Sequence, residues 1–324
     1  MKILITGIAG FVGMHLGEAL LKRGVEIVGV DNLNDYYDVN LKNARLTRLK
    51  KYPNFKFFKM DIVDRKGLSS LFNTYYFNRV LHLAAQAGVR YSIEQPFKYT
   101  DSNITGFLNI LECCRNNPIE HLVYASSSSV YGGNTVLPYT ENQVVDTPIS
   151  LYAATKKSNE LMAHAYSHLF GIPVTGLRLF TVYGPWGRPD MALFKFTKSI
   201  LQEEKIAIFN YGKMVRDFTY IDDVVEGIVK VLDKPPTETP PYKIFNLGNN
   251  NPVQLMDCIE ALEVSLGKVA IKEYLPLQAG DVLATHASTA LLGEWVAYKS
   301  QTSVSDGVAK FVAWYKKYYE NELT

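Results

Sequence analysis

The sequence predicts an α/β protein built on a doubly wound parallel sheet, followed by a smaller mixed region. Three observations carry that expectation. Short apolar runs alternate with helical patterns through the first half of the chain, and a glycine-rich turn joins the first run to the first helical pattern. Beyond Phe180 the alternation loosens into loop-like stretches. Brief, largely apolar runs suit strands covered on both faces, and strand–helix alternation implies parallel pairing with helices on either side.

In chain order the runs are 3–5, 25–30, 55–58, 80–84 and 122–125. Between the first two, Val12, Leu16, Ala19 and Leu20 recur at helical spacing up to Gly24, a suitable C-terminal stop. Residues 184–189, Gly-Pro-Trp-Gly-Arg-Pro, read as a loop, and the proline-rich 235–241 as an exposed connector. The periodic stretch 304–319 predicts an amphipathic closing helix, and no internal repeat interrupts the pattern.

Composition narrows the function classes. Basic and acidic residues nearly cancel at a formal charge of +2, with no long run of one sign, so nucleic acid is not an expected partner. No apolar run reaches the length of a bilayer span or resembles a secretory leader, so no membrane insertion and a cytoplasmic location are expected. Cys113 and Cys114 are neighbours and Cys258 stands alone, which suits neither a disulfide framework nor a zinc site; no metal is expected.

The first chemical signal is Thr6-Gly7-Ile8-Ala9-Gly10-Phe11-Val12-Gly13, set between strand and helix. Glycines there permit the turn, let the backbone approach a pyrophosphate and let helix pack on strand, while the helix start offers N–H groups to phosphate. Asp31 ends the second run, where a carboxylate accepts both adenosine ribose hydroxyls and repels a 2′-phosphate; NAD is expected over NADP.

Tyr152 and Lys156, four residues apart, fall on one helical face. A phenol has a pKa of about 10, so a tyrosine acting as base near neutrality needs its anion favoured by roughly 4 kcal/mol. The nearby ammonium and an oxidised nicotinamide are the expected sources. Residues 124–133, Tyr-Ala-Ser-Ser-Ser-Ser-Val-Tyr-Gly-Gly, follow a parallel strand and so lie at its carboxyl end, where ligands bind in such sheets. One serine hydroxyl there can hold a sugar hydroxyl while Tyr152 removes its proton; a turn-capping role fits Ser126 and Ser129. His164 and His168 read as surface or interface residues, and Asp222-Asp223 as a helix cap.

The set Gly7, Gly10, Gly13, Asp31, the serine run before Val130-Tyr131-Gly132, and Tyr152-x-x-x-Lys156 resembles the extended short-chain dehydrogenase/reductase family of nucleotide-sugar enzymes. Within it, residues 31–38, 184–192 and 216–223 resemble the UDP-glucuronate 4-epimerases, and the resemblance runs essentially the length of the chain. It implies a Rossmann fold with bound NAD: residues 1–180 form the NAD-binding domain, rejoined by about 218–248, and 181–324 mainly bind the UDP-sugar. It implies Ser127 as the catalytic hydroxyl beside Tyr152 and Lys156. The implied NAD site comprises Gly7, Gly10, Phe11, Val12, Gly13, Asp31, Asn32, Asn34, Asp61, Ile62, Leu83, Ala84, Ala85, Gln86, Asn103 and Ala125, with Tyr152 and Lys156. The implied sugar-nucleotide site comprises Ser127, Ser128, Ser129, Thr181, Arg188, Phe209, Arg216, Gln278 and Asp281. A homodimer packed through the helices near 103–114 and 152–168 is implied as well.

The chain departs from the family pattern near the nucleotide end, with Gln278-Ala279-Gly280-Asp281 for Gln-Pro-Gly-Asp and Thr285-His286-Ala287-Ser288 for Thr-Tyr-Ala-Asp. The implied reaction oxidises C4 of the sugar, turns the 4-keto sugar over and returns the hydride. Related dehydratases and decarboxylating synthases carry acidic residues just after the catalytic hydroxyl, where this chain has Ser128 and Ser129. Hydroxyls and Arg188 suit a glucuronate carboxylate. UDP-galactose or UDP-N-acetylglucosamine 4-epimerisation is the nearest competitor, then a decarboxylase or dehydratase; a non-catalytic NAD-binding sensor is the alternative from another class.

Overall fold

The computed structural model describes residues 1–278 and 281–319. The chain begins β1 (Lys2–Thr6), α1 (Phe11–Lys22), β2 (Glu26–Asp31), α2 (Val39–Leu49), β3 (Phe55–Lys59), α3 (Arg65–Tyr75) and β4 (Arg79–His82). The short α4 (Tyr91–Glu94) and α5 (Pro96–Tyr99) lead through a π turn into α6 (Gly106–Asn116), β5 (His121–Ser127), α7 (Leu151–Phe170) and β6 (Val174–Leu179). Then come β7 (Thr181–Tyr183), α8 (Ala192–Leu201), β8 (Lys205–Ile208), β9 (Val215–Arg216), β10 (Phe218–Tyr220), α9 (Ile221–Leu232) and β11 (Tyr242–Leu247). The last elements are β12 (Val253–Gln254), α10 (Leu255–Leu266), β13 (Ile271–Tyr274), α11 (Ala290–Val296) and α12 (Val304–Tyr318).

Seven strands form one parallel sheet in the order β11-β6-β5-β4-β1-β2-β3. From β1 the order runs outward in both directions, so the switch point lies between β1 and β4, and a crevice opens at the carboxyl ends there. All five expected runs are strands of this sheet. The fourth ends at His82 rather than residue 84, because the N–H groups of Leu83 and Ala84 turn to the Thr6 hydroxyl, each at 3.2 Å. β11 rejoins the sheet after α9 by pairing with β6.

Local chemistry sets the helix ends. α1 stops before Gly24, whose φ of +77° suits glycine. Ser150 caps α7 by accepting from Ala153 N at 3.1 Å, which fixes Tyr152 in the first turn of that helix. Asp223 does not cap α9 as expected; its Oδ2 accepts from Ser300 Oγ at 2.8 Å and Thr302 N at 3.0 Å, tying the chain before α12 to the sheet layer. His164 and His168 are exposed and stack on each other.

A second apolar layer covers the carboxyl-end side. Phe194 of α8, Ile206 and Ile208 of β8, Ile259 and Leu262 of α10, and Phe311 and Tyr315 of α12 form one buried cluster, so the expected closing helix is the base of this layer. Among the described residues no helix is long and apolar enough to cross a membrane, and no group of His, Cys, Asp or Glu is placed to hold a metal ion.

Candidate active site

A cleft of about 1080 Å³ separates the sheet's carboxyl ends from the second layer. Its floor at the switch point is the turn after β1. Gly7 has φ +72°, and a Cβ there would stand 2.8 Å from Ala84 N; at Gly13 it would overlap the Gly7 carbonyl oxygen. No side chain caps α1, so its first N–H groups, at Phe11 and Val12 on the cleft wall, suit a pyrophosphate.

Asp31, at the end of β2, accepts from Leu33 N at 2.9 Å and Ala9 N at 3.1 Å. Burial pushes its pKa up, while those N–H groups and the Lys42 charge favour the anion. Asn32 donates to Asp61 at 2.8 Å and Lys42 to the Asn34 side chain at 2.7 Å, so the expected adenosine-end residues share one braced rim. Ile62, Leu83, Ala84, Ala85 and Gln86 continue that wall. With two of its N–H bonds accepted by Thr6 Oγ1, that hydroxyl donates to His82 Nδ1 at 2.8 Å. Burial lowers His82 to about 3, so the ring is neutral with its proton on Nε2. The turn, the uncapped helix start and the ribose carboxylate fit a dinucleotide.

Asn103 does not line the cleft. It is buried behind the wall, where Oδ1 accepts from Gln86 N at 2.8 Å and Nδ2 donates to Thr155 Oγ1 at 3.0 Å, pinning Gln86 to α7.

The expected catalytic trio converges. Ser127 is the last residue of β5, and Tyr152 and Lys156 come from α7 across the cleft floor with Ala125. Ser127 Oγ accepts from Ser129 N at 3.2 Å, so Ser127 itself caps the 3₁₀ turn Ser128–Tyr131. The capping role expected of Ser126 and Ser129 is therefore misplaced: Ser126 points the other way and donates to buried Glu160 at 2.6 Å. Lys156 donates to the Ala125 carbonyl at 2.9 Å, and burial lowers its pKa to about 8. Burial raises the Tyr152 phenol, and the Ser127 hydroxyl and the Arg188 charge act against that.

At the far end, Thr181, Arg188, Phe209, Arg216, Asp281 and the three serines line the cleft. Arg188 grips Asp190 through two hydrogen bonds, of 3.0 and 2.5 Å. Arg216 is folded onto main chain, donating to Val282 O at 2.7 Å and Val215 O at 2.9 Å. Asp281 pairs with Arg90 at 2.8 Å, and that guanidinium also lies 5.3 Å from the Phe209 ring centre. Gln278 is not on the cleft wall, and Ala279 and Gly280 lie outside the described residues. In the other divergent stretch, Thr285 and Ala287 bond to the main chain and carboxylate of buried Asp217.

Sequence reasoning missed Arg45. Fully buried on α2, it donates to Ala9 O at 3.0 Å, Tyr37 Oη at 2.6 Å, Trp186 O at 2.6 Å and Gly187 O at 3.1 Å. One guanidinium thereby ties the glycine-rich turn to the loop bearing Arg188. The available signal was an arginine within the buried stripe Leu41, Leu46, Leu49.

Comparison with known proteins places this architecture. Residues 3–248 match the model of the NAD dependent epimerase/dehydratase family. The chain is 54% identical to Protein CapI of Staphylococcus aureus, over 99% of this chain and 100% of that one. It is 48% identical to UDP-glucuronate 4-epimerase 4 of Arabidopsis thaliana, over 99% of this chain and 77% of that one. The crystal structure of UDP-glucuronic acid 4-epimerase from Bacillus cereus, in complex with UDP-glucuronic acid and NAD, superposes with a TM-score of 0.92 at 36% identity, covering 98% of this chain and 100% of that one. The chain belongs to the NAD dependent epimerase/dehydratase family.

Proposed function

We propose that the chain inverts C4 of a UDP-hexuronic acid, interconverting UDP-glucuronate and UDP-galacturonate with bound NAD. One observation carries the choice of sugar: the cleft that holds Tyr152 presents the hydroxyls of Ser127, Ser128, Ser129 and Thr181 with the Arg188 cation, and Asp190 on the same wall is bound to Arg188. A sugar carboxylate finds donors in that setting, and serines rather than acids follow Ser127, where an acid would assist chemistry at C5. The Arabidopsis and Bacillus cereus relatives support the reading.

Bound NAD supplies a reversible hydride acceptor for C4, held by the turn from Gly7 to Gly13, Asp31 and the wall from Leu83 to Gln86. Tyr152 takes the proton of the C4 hydroxyl and returns it, Ser127 orients that hydroxyl, and Lys156 favours the phenolate electrostatically. Phe209, Arg216 and Asp281 hold the uridine diphosphate, so that the oxidised sugar can turn over while its nucleotide stays put. Residues 1–180 with 218–248 serve NAD and 181–324 mainly serve the UDP-sugar. The working form is a cytoplasmic homodimer packed through α6 and α7.

A second reading, a neutral UDP-hexose epimerised at the same carbon, has one observation in its favour: Asp190 already balances the Arg188 charge. Incubating the NAD-loaded protein with UDP-glucuronate, UDP-glucose and UDP-N-acetylglucosamine, and resolving products by mass spectrometry and NMR, separates the two. UDP-galacturonate with little pentose is the expected product. Turnover of the neutral sugars alone, or strict need for a second redox substrate, overturns the proposal.

A further inference from the structure

Arg188 is not free in the cleft. Its Nε and Nη2 face the two oxygens of Asp190 at 3.0 and 2.5 Å, and Tyr36 Oη donates to Asp190 Oδ2 at 3.1 Å. The side chains of Arg188 and Asp190 keep 24% and 22% of their exposure, so both groups stand at the cleft wall rather than in the core.

The place of Tyr36 is built. Asp31, Asn32 and Asn34 each accept the N–H two residues on, at 2.9, 3.0 and 3.4 Å, which carries the loop from the ribose carboxylate to Tyr36 in successive side-chain turns. The Tyr36 hydroxyl then occupies the space a Cβ of Gly88 would need, and Gly88 has φ +101°. The Tyr36 ring packs 4.8 Å from that of Tyr91. Although burial works against it, the Arg188 charge keeps Asp190 ionised.

We propose that Asp190 and Tyr36 are positioning residues for sugar recognition: Tyr36 fixes the Asp190 carboxylate, and Asp190 fixes the direction of the Arg188 guanidinium while balancing its charge. The inference rests on the reading of Arg188 as the cation facing the sugar carboxylate. Two carboxylates then share one guanidinium in the substrate complex, one from the protein and one from the sugar. The protein's carboxylate weakens the pull on an anionic sugar and in return holds the cation in one orientation. Affinity for the acidic sugar and correct placement of its C4 are set against each other at this pair.

Asp190→Asn separates the two effects in the NAD-loaded protein. Removing the competing charge raises the ratio of UDP-glucuronate to UDP-glucose affinity, measured by titration calorimetry, by about tenfold. Loss of the bidentate grip lowers kcat on UDP-glucuronate by about tenfold without raising KM. Tyr36→Phe, which keeps the ring packing, shifts kcat the same way by about threefold, and it carries the test should Asp190→Asn fail to fold. A merely structural role predicts equal losses of affinity for UDP-glucuronate, UDP-glucose and UDP. That result, or an affinity ratio and kcat both within twofold of wild type, overturns the proposal. Failure of the wild type to turn over UDP-glucuronate sinks the functional reading instead, and the affinity ratio still reports on the pair.

Discussion

Glu160→Gln tests what holds the catalytic floor together. Tyr152, Lys156 and Glu160 follow at intervals of four on α7, so one helical face carries the two reactive groups and the brace below them. Glu160 and Arg178 are 4% and 3% exposed and face each other at 2.9 Å on both oxygens, and Ser126, next to Ser127, donates to the same carboxylate at 2.6 Å. The amide keeps the shape but leaves Arg178 as a buried cation without its counter-charge. Removing one partner of such a pair costs about 3–5 kcal/mol. Glu141, whose charge Arg178 also feels, softens the loss, which favours the lower end of that range.

At about 2.1 cal/mol/K per residue, 324 residues unfold with an entropy near 0.7 kcal/mol/K, so the cost reads as a fall in Tm of about 4–7 °C. Differential scanning calorimetry of the NAD-loaded protein at one scan rate measures it. The double variant Glu160→Leu with Arg178→Met should regain most of the loss, since an apolar pair avoids the cost of desolvating two charges. A single variant within 1 °C of wild type, or a double variant worse than the single, refutes the reasoning that this ion pair acts as the brace.

Tyr152→Phe should lower kcat by about 100-fold or more while UDP-sugar affinity changes by less than about threefold, because the phenolate acts in the transition state; near-normal turnover removes Tyr152 from the chemistry. Burial holds Lys156 down to about 8, so its ammonium is present below that pH and is lost above it. The pH profile of kcat/KM should therefore fall through pH 8. Lys156→Arg, which stays charged, should move that limb upward; an unmoved limb assigns it to another group. Gly13→Ala puts a methyl group into the Gly7 carbonyl oxygen. Extraction of the denatured variant should recover little NAD, and full occupancy would show that the turn tolerates a Cβ.

Five strands were legible because each is a short apolar run between polar or glycine stops. β6 and β11 were not, and their composition explains it: Arg178 and Asn246 sit inside them, buried and hydrogen-bonded, and interrupt the apolar pattern. Glycine spacing, a terminal aspartate and a Tyr–Lys pair are local patterns imposed by local geometry, so it was legible that the turn after β1, Asp31, Tyr152 and Lys156 would meet on one cleft. Asn103, expected at the NAD site, faces Gln86 and α7 from behind the wall.

The groups that escaped notice share one property: their partners are remote in the chain. Arg45 meets Trp186 and Gly187 at separations of 141 and 142 residues, Tyr36 meets Asp190 at 154, and Arg90 meets Asp281 at 191. No period or spacing encodes such pairs, because the sheet order alone brings them together. All three reach from the first half of the chain to the loops that line the sugar end. Arg45 binds Ala9 in the glycine-rich turn with the same guanidinium that binds Trp186 and Gly187. A shift of that turn without the loop carrying Arg188 would break buried hydrogen bonds to a charged donor. The turn after β1 and the loop carrying Arg188 are joined through one buried guanidinium rather than merely adjacent, which suits a reaction in which one cofactor must meet the same carbon from either face of the sugar.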